Sequence, residues 1–428
     1  MSLFSRFGVE IPKSLTEANI IGVDFDDDDL SAASVEEGSR NPIHTLFADV
    51  EQYKRSLKNI LCIDIETNKV FRFGFPGMYR DCFCASNFLC YPGSIKSKKK
   101  IAKDNGISLT NAECMQYAFN LFINKLFEYD CGRIDKEKHS ILLVSRPASS
   151  CWESNEKKYA ALLKEKLEIK DYSQQVDIVI VSELQSLCTL LVRDGGPVSP
   201  EENVVIMKCG SNSFDMAVAR RGDIPANWEY SRLFGTGKIE DLMLKQFLDE
   251  QPGKKPVKPI AQSKLFLRKL KEQFYGTDNE PGDNKNFFRI IFENKPKPIM
   301  VYKQIDDEFM EQTLNNTGPV TIEASMDGID QEEYASWHEA CMAVFNGAKH
   351  HVKKCLKGDQ LHKIILTGGA SVMPEVQQIA QECFGGAKFV RYPCNHLIAN
   401  SLAYVGAFEI VQQQLREFDK AFNDIFFP

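Results

Sequence analysis

The stretch KIILTGGASVMPEV, Lys363–Val376, decides how the rest of the chain is read. Lys363 to Thr367 is a short apolar run that stops at a glycine pair, the pattern of a buried strand ending in a tight turn. Gly368 and Gly369 have no Cβ, so a ligand can lie directly on their backbone. Ser371 is placed to cap a following helix, with Pro374 in its first turn. Val376, Ile379 and Ala380 then continue at helical spacing. Strand, glycine turn and helix N-terminus together present free N–H groups to an anion or a polar ring. Alone, the stretch reads equally well as an ordinary strand–helix connection in an α/β domain.

Working outward, the 428 residues exceed one typical domain, so two domains or lobes are expected. Hydrophobic residues make up 43 %, enough for a sizeable core. A net charge of −7 gives no support to a nucleic-acid-binding role. The 13 cysteines contain no CxxC pair; Cys82 and Cys84 stand closest, at CxC spacing. That usage fits reduced thiols in a cytoplasmic protein. No apolar run approaches the ~20 residues of a membrane span, and the N-terminus lacks a charged-then-apolar signal segment.

Ile20–Asp24 reads as a buried strand that runs into four aspartates, Asp26 to Asp29, before Leu30 to Ser34 resumes as a strand. This predicts a hairpin with an acidic turn, either solvated or offset by a Mg²⁺ ion held through water. Solvation is the simpler account. Residues 60–72 predict a second hairpin, turning at Thr67 and Asn68. The basic run Ser97–Lys103 reads as solvated surface. Helices are expected over Leu109–Leu126, where Thr110 and Glu113 have capping-box spacing, and over Glu156–Leu167. Strands at Ser140–Ser145 and Val176–Val181 alternate with them, and Ser182-Glu183 opens a further helix to Leu191.

Val204–Met207 and Met216–Ala219 flank a small-residue segment, Lys208 to Asp215, that can bring backbone close to a phosphate or serve as a plain hairpin loop. Leu233–Phe247 is a glycine-containing loop entering a helix. Loops are expected at Gln251–Pro259 and Gly276–Lys285, and Ser263–Phe274 is a basic amphipathic helix. Residues 287–302 predict a strand pair turning at Asn294–Lys297, Glu332–Leu356 one long helix, and Ala399–Leu415 the last helix. There is no GxSxG, HExxH or GxxxxGK[ST] pattern, and the seven histidines are dispersed.

Taken in order, these pieces resemble the actin-like ATPase superfamily, and within it the nucleotide-binding domain of DnaK-type heat-shock chaperones. IIGVDFDDDDLSAA is similar to a first phosphate hairpin and MKCGSNSFDMAVARRG to a second. VDIVIVSELQSLCTLLVRDGG resembles a connecting region, with Glu183 at a catalytic-site glutamate. LFGTGKIEDLMLKQF resembles the glycine-pair loop of a second lobe, and SKLFLRKLKEQFYGT the lysine-bearing helix beside adenine, with Lys271 at the lysine position. ILTGGASVMPEV is the most faithful match, to the adenosine motif, and ANSLAYVGAFE resembles a second connecting helix.

The resemblance implies an α/β chain with a two-lobed actin-like ATPase fold, a duplicated ribonuclease H-like unit. One lobe is expected over residues 1–200 and the other over 201–428, the last helix returning to the first. It implies ATP or ADP in the interlobe cleft with Mg²⁺ on the phosphates. Asp24 would order the metal's water shell, and Glu183 or Asp215 would orient the attacking water. Gly210, Ser211, Asn212, Ser213, Gly235 and Gly237 would cradle phosphates, with Gly368, Gly369, Ser371 and Lys271 on the adenosine.

Two positions depart from the pattern. Asp26 replaces a glycine, and Lys208 replaces an aspartate that would order Mg²⁺ waters. Both a compensated site and a pseudo-ATPase follow from this. The chain also ends soon after the last connecting helix, with no room for a chaperone's substrate-binding domain. Three functions are consistent with the residues. The first is a stand-alone chaperone-like nucleotide switch with an unknown protein partner. The second is a self-associating filament former of the plasmid-segregation or cytoskeletal kind. The third is a catalytically dead scaffold.

Overall fold

The computed structural model describes residues 2–27, 29–35, 43–45, 57–73, 82–101, 106–129, 133–148, 150–192, 198–199, 201–220, 229–252, 260–275, 287–292, 299–323, 331–392 and 397–426. Asp28, most of the Gln251–Pro259 loop, the Gly276–Lys285 loop and the Asn294–Lys297 turn lie outside them. The architecture is α/β. The chain divides into two compact units, Met1–Pro200 with Cys394–Pro428, and Glu201–Pro393.

In the first unit α1 (Leu3–Arg6) precedes β1 (Ala18–Phe25), β2 (Asp29–Val35), β3 (Ile43–Thr45), β4 (Leu57–Lys58), β5 (Leu61–Asp64), β6 (Val70–Phe73) and β7 (Cys82–Ala85). There follow α2 (Ile95–Lys98), α3 (Asn111–Tyr129), β8 (His139–Arg146), α4 (Ser150–Glu153), α5 (Glu156–Glu165), β9 (Val176–Ser182) and α6 (Glu183–Leu191). The second unit holds β10 (Asn203–Cys209), β11 (Phe214–Arg220), β12 (Glu229–Arg232), α7 (Gly237–Asp249), α8 (Ile260–Phe274), β13 (Phe287–Phe292) and β14 (Ile299–Gln304). It continues through α9 (Asp307–Asn316), β15 (Val320–Glu323), β16 (Gln331–Tyr334), α10 (Trp337–Leu356), β17 (Lys363–Thr367), α11 (Pro374–Cys383) and β18 (Lys388–Arg391). The chain then re-enters the first unit in α12 (Leu397–Phe426).

Each unit is built on one mixed sheet, and the two sheets share a strand order. The first runs β3-β2-β1-β8-β9, with β4 also pairing β2, and the second runs β12-β11-β10-β17-β18. In both, three strands pair antiparallel as a meander and the central strand then takes two parallel neighbours in succession. Parallel pairing needs crossover connections, which the intervening helices supply.

The sequence accounts for the element boundaries locally. The α3 start is a reciprocal capping box: Thr110 N–H donates to Glu113 Oε2 at 2.9 Å, and Glu113 N–H to Thr110 Oγ1 at 3.2 Å. Asn68, at positive φ, makes the turn between β5 and β6. Two expectations change. The long helix starts at Trp337, because Ser336 caps it and residues 331–334 are drawn into an antiparallel pair with β15. Ser97 is buried rather than solvated, its Oγ donating to Ser94 O within the short α2.

In the first unit α12 lies against β1 with almost no room to spare. A Cβ on Gly22 would stand 2.2 Å from Ala399 O, and one on Gly406 would stand 2.6 Å from Ile20 Cγ2. Leu402 and Ile410 fill the same core with Ile141, Leu143 and Val181. Among the described residues no helix is long and apolar enough to cross a membrane. Gly22→Ala is expected to remove about 1–3 kcal/mol of stability by forcing helix and strand apart, read as a lowered urea midpoint. An unchanged midpoint would contradict this packing.

Candidate functional site

In the second unit three glycine turns meet at the end of the β10–β11 hairpin. The hairpin pairs Lys208 with Asp215 and Cys209 with Phe214, and its tip is closed by Gly210 N–H donating to Ser213 O at 2.9 Å. The loop before α7 lies directly on this tip: Thr236 N–H donates to Gly210 O at 3.2 Å and Gly237 N–H to Ser211 O at 2.8 Å. Only glycine fits at 235, where a Cβ would be 2.2 Å from Ser211 O. The third turn comes from the opposite side of the sheet's central strand. Gly368 has φ +89°, and a Cβ there would be 2.3 Å from Cys209 O. Gly210, Ser211, Asn212, Ser213, Gly235, Gly237 and Gly368 therefore sit in one cluster.

Gly369 and Ser371 follow in a 3-10 turn, Gly369–Val372, closed by Ser371 N–H on Gly368 O at 3.0 Å. Nothing lies within 4 Å of the place a Gly369 Cβ would occupy, so this backbone has an open face. Ser371 does not cap α11, as the sequence suggests; Met373 holds the cap position and Pro374 the first turn. Ser371 is buried instead. Its hydroxyl, with those of Ser211 and Thr367, is buried without a hydrogen-bond partner among the described residues.

Lys271 holds this loop cluster from behind. Its Nζ donates to Thr236 O at 3.0 Å and to Glu240 Oε1 at 2.8 Å. Arg268 Nε reaches both Glu240 oxygens at 3.2 Å. All three side chains are buried, so two cations share one carboxylate beside the Gly235–Gly237 turn. The α8 face behind this was legible as a basic helix, but Glu240 and Arg268 carried no signal that set them apart from solvated charges.

The strand register aligns a polar row across the second sheet: Thr367, Lys208, Asp215 and Ser231 on four neighbouring strands. Directly opposed residues share a face. Asp215 is buried on β11, not at a hairpin tip. It accepts from Ser213 Oγ at 2.6 Å and from Ser231 Oγ.

The first unit carries the equivalent row, Ser31 opposite Asp24 on β1, with Ser145 alongside on β8. Ser145 Oγ accepts from Phe25 N–H at 2.8 Å and donates to Asp24 Oδ1 at 3.2 Å. Within the acidic turn Asp27 is not solvated. Asp27 is 6 % exposed and accepts from Leu89 N–H at 2.8 Å, while Asn59 Nδ2 donates to Asp26 O at 2.7 Å. Glu183 is buried as the first residue of α6, where the helix dipole favours a carboxylate; Ser182 is the cap. Burial, and then Cys90, Glu183, Asp27 and Asp26 nearby, push the Tyr159 hydroxyl well above its ordinary range. Arg146, next to Ser145, donates to Glu156 Oε1 at 2.6 Å, and Arg6 to Glu156 Oε2 at 2.6 Å. Ser145, Arg146 and Glu156 were not singled out from sequence, because each stands alone in its stretch.

No protein-family model matches the chain. The second unit's loops fit a nucleotide's demands on two counts: a backbone cradle that side chains would fill, and buried hydroxyls at Ser211, Thr367 and Ser371 with capacity to bond. Glu240→Ala leaves two buried cations without their carboxylate. It is expected to cost about 3–5 kcal/mol, measured by denaturant unfolding, against less than about 1 kcal/mol for the exposed pair Lys303–Glu250.

Proposed function

We propose that this chain is a nucleotide-binding protein of the two-lobed actin-like kind, related in design to the DnaK-type ATPase domain, with slow or absent hydrolysis. The observation that carries the reading is the convergence of the Gly210–Ser213, Gly235–Gly237 and Gly368–Ser371 turns on one hairpin end. Turns about 25 and 155 residues apart in sequence would have no reason to pack backbone on backbone in a plain hairpin loop. The shared strand order of the two sheets supports the duplicated architecture.

In this reading the N–H groups of Ser211 to Ser213 take the phosphates of ATP or ADP, on a tip that Gly210 N–H closes. Gly369, with Ser371 beneath it, takes the adenosine. Lys271 acts through Thr236 and Glu240, fixing the phosphate loop and lending its charge there. Mg²⁺, when bound with the nucleotide, neutralises the phosphate oxygens. Within this unit Asp215 would orient the attacking water. Lys208 is the argument for slow chemistry. It is a buried cation in the register position that Asp24 holds in the first sheet, so the acid that would order the metal's waters is missing from the second.

The partner surface in this reading is α12, and the partner is a second copy of the chain. Tyr404, Phe408, Val411 and Leu415 alternate at spacings of four and three. Phe408, Val411 and Leu415 are exposed at 42, 39 and 51 %. That is a heptad seam for another helix, and its flanking positions, Val405, Ala407, Gln412 and Gln414, bear no charge to repel a like copy.

Mg-ATP at about 100 times its Kd is expected to stabilise the protein by about 2.7 kcal/mol, seen as a raised melting temperature. Gly235→Val, which drives a side chain into Ser211 O, should abolish the shift. A wild-type chain that shows no shift at millimolar ATP is a dead scaffold, and the nucleotide reading fails. For the seam, light scattering should give a dimer that Phe408→Glu converts to monomer; a wild-type monomer at tens of micromolar refutes it.

A further inference from the structure

Apart from the loops above, the first unit contains a buried block of sulfur. Strand β5 pairs antiparallel with both β6 and β7, and in the β5–β7 register Cys62 lies opposite Cys84 and Asp64 opposite Cys82. Opposed and alternate residues share a face, so all three thiols project from the same side of this small sheet. The other side is closed by Leu61, Ile63, Phe83 and Ala85, all buried. Cys62, Cys82 and Cys84 are 0, 3 and 4 % exposed.

The three Sγ atoms lie within 4.8 Å of one another, and Cys82 and Cys84 are separated by 4.0 Å. Three sulfurs at about 2.3 Å from a common ion, in one plane with it, stand about 4.0 Å apart. The block already has nearly that spacing. Asp64 shares the face, but its Oδ1 is taken by Thr67 N–H at 2.7 Å and Thr67 Oγ1 at 2.8 Å, in the turn toward β6. Among the described residues the group with ligand atoms close enough to share an ion is the three cysteines, without Asp64. Sulfur-only, three-coordinate surroundings suit a soft d¹⁰ monovalent ion, whereas Zn²⁺ asks for a fourth ligand.

We propose that Cys62, Cys82 and Cys84 form a trithiol site for a thiophilic metal ion, Cu(I) before Zn²⁺. Binding forms S–metal bonds and releases the displaced thiol protons to solvent, with no change of oxidation state. The hydrogen bond with Cys62, and then burial, push the Cys84 thiol far above its ordinary range.

The test is an anaerobic titration of the reduced full-length chain with Cu(I) against a chromophoric Cu(I) chelator. One Cu(I) per chain should be withdrawn, and X-ray absorption should show three sulfurs at about 2.3 Å. Cys62→Ser and Cys84→Ser should each weaken binding at least about 100-fold, because even outer-shell changes at metal sites cost 10–100-fold. Cys355→Ser, in the other unit, should leave binding unchanged. A chain that leaves Cu(I) on the chelator overturns the proposal. So does one that binds Zn²⁺ in preference, shows two sulfurs in the absorption spectrum, or binds equally well with Cys62 and Cys84 replaced. The wild-type stoichiometry and sulfur count decide the matter even where a variant fails to fold.

Discussion

The absence of a Cβ is the constraint on which most of this molecule rests. Gly22 and Gly406 let α12 press onto β1 in the first unit, and Gly235 and Gly368 let two loops press onto one hairpin end in the second. At Gly22, Gly235 and Gly368 the nearest atom to a hypothetical Cβ is a backbone carbonyl at 2.2 or 2.3 Å. A side-chain neighbour could turn aside; a carbonyl in a strand or helix cannot, since its own hydrogen bonds hold it. Contacts of this kind are intolerant of substitution. They also bring N–H and C=O groups into positions that a side-chain layer would have screened, so the same feature that locks the packing exposes the polar backbone.

Buried charge is the second constraint, and it is met by sharing. Glu240 serves Lys271 and Arg268, and Glu156 serves Arg146 and Arg6. Each carboxylate sits at or near the start of a helix, in the first turn of α7 or at the head of α5, where the dipole already favours an anion. In the second unit Lys271 also reaches the Thr236 carbonyl, at the edge of the glycine cluster. Such pairs add little net stability over an apolar filling, but they fix geometry, because a half-made arrangement strands a charge.

How much of this was legible in sequence varied with the range of the contacts involved. The alternation of apolar runs with helical periods gave the α/β class and most elements. The capping box at Thr110 and Glu113 was readable because both partners lie within one turn. The hairpin at Lys208–Asp215 and the strand–turn at Thr367–Gly369 were also local. Contacts between distant stretches were not readable. Asp27 looked solvated because its partner, Leu89 N–H, lies 62 positions away. Glu332 looked helical because nothing near it in sequence announced β15. Ser145 and Ser231 were invisible as ligands of Asp24 and Asp215 for the same reason: a serine signals nothing until the register puts a carboxylate beside it. Ser371 misled in the other direction, since the local cap pattern gave way to a 3-10 turn that buries the hydroxyl.

The two sheets share one strand order, yet the matching positions on their central strands carry opposite charge. In the first the β1 position holds Asp24, with Ser31 across the hairpin and Ser145 on the parallel neighbour. In the second the matching position holds Lys208, with Asp215 across the hairpin and Thr367 on the parallel neighbour. The hydroxyl on the parallel strand is kept in both, which is what a repeated backbone demands of a small polar residue at the end of a strand. The charge is not kept, so it answers to something other than the fold. An exchange of Asp for Lys in a buried row changes which ions the row can approach without a desolvation penalty. It is also accompanied by an acid directly opposite, Asp215, tied by two serines rather than left to the lysine alone. In the reading proposed above, that cation is what slows the chemistry, while the backbone cradle at the hairpin end is kept.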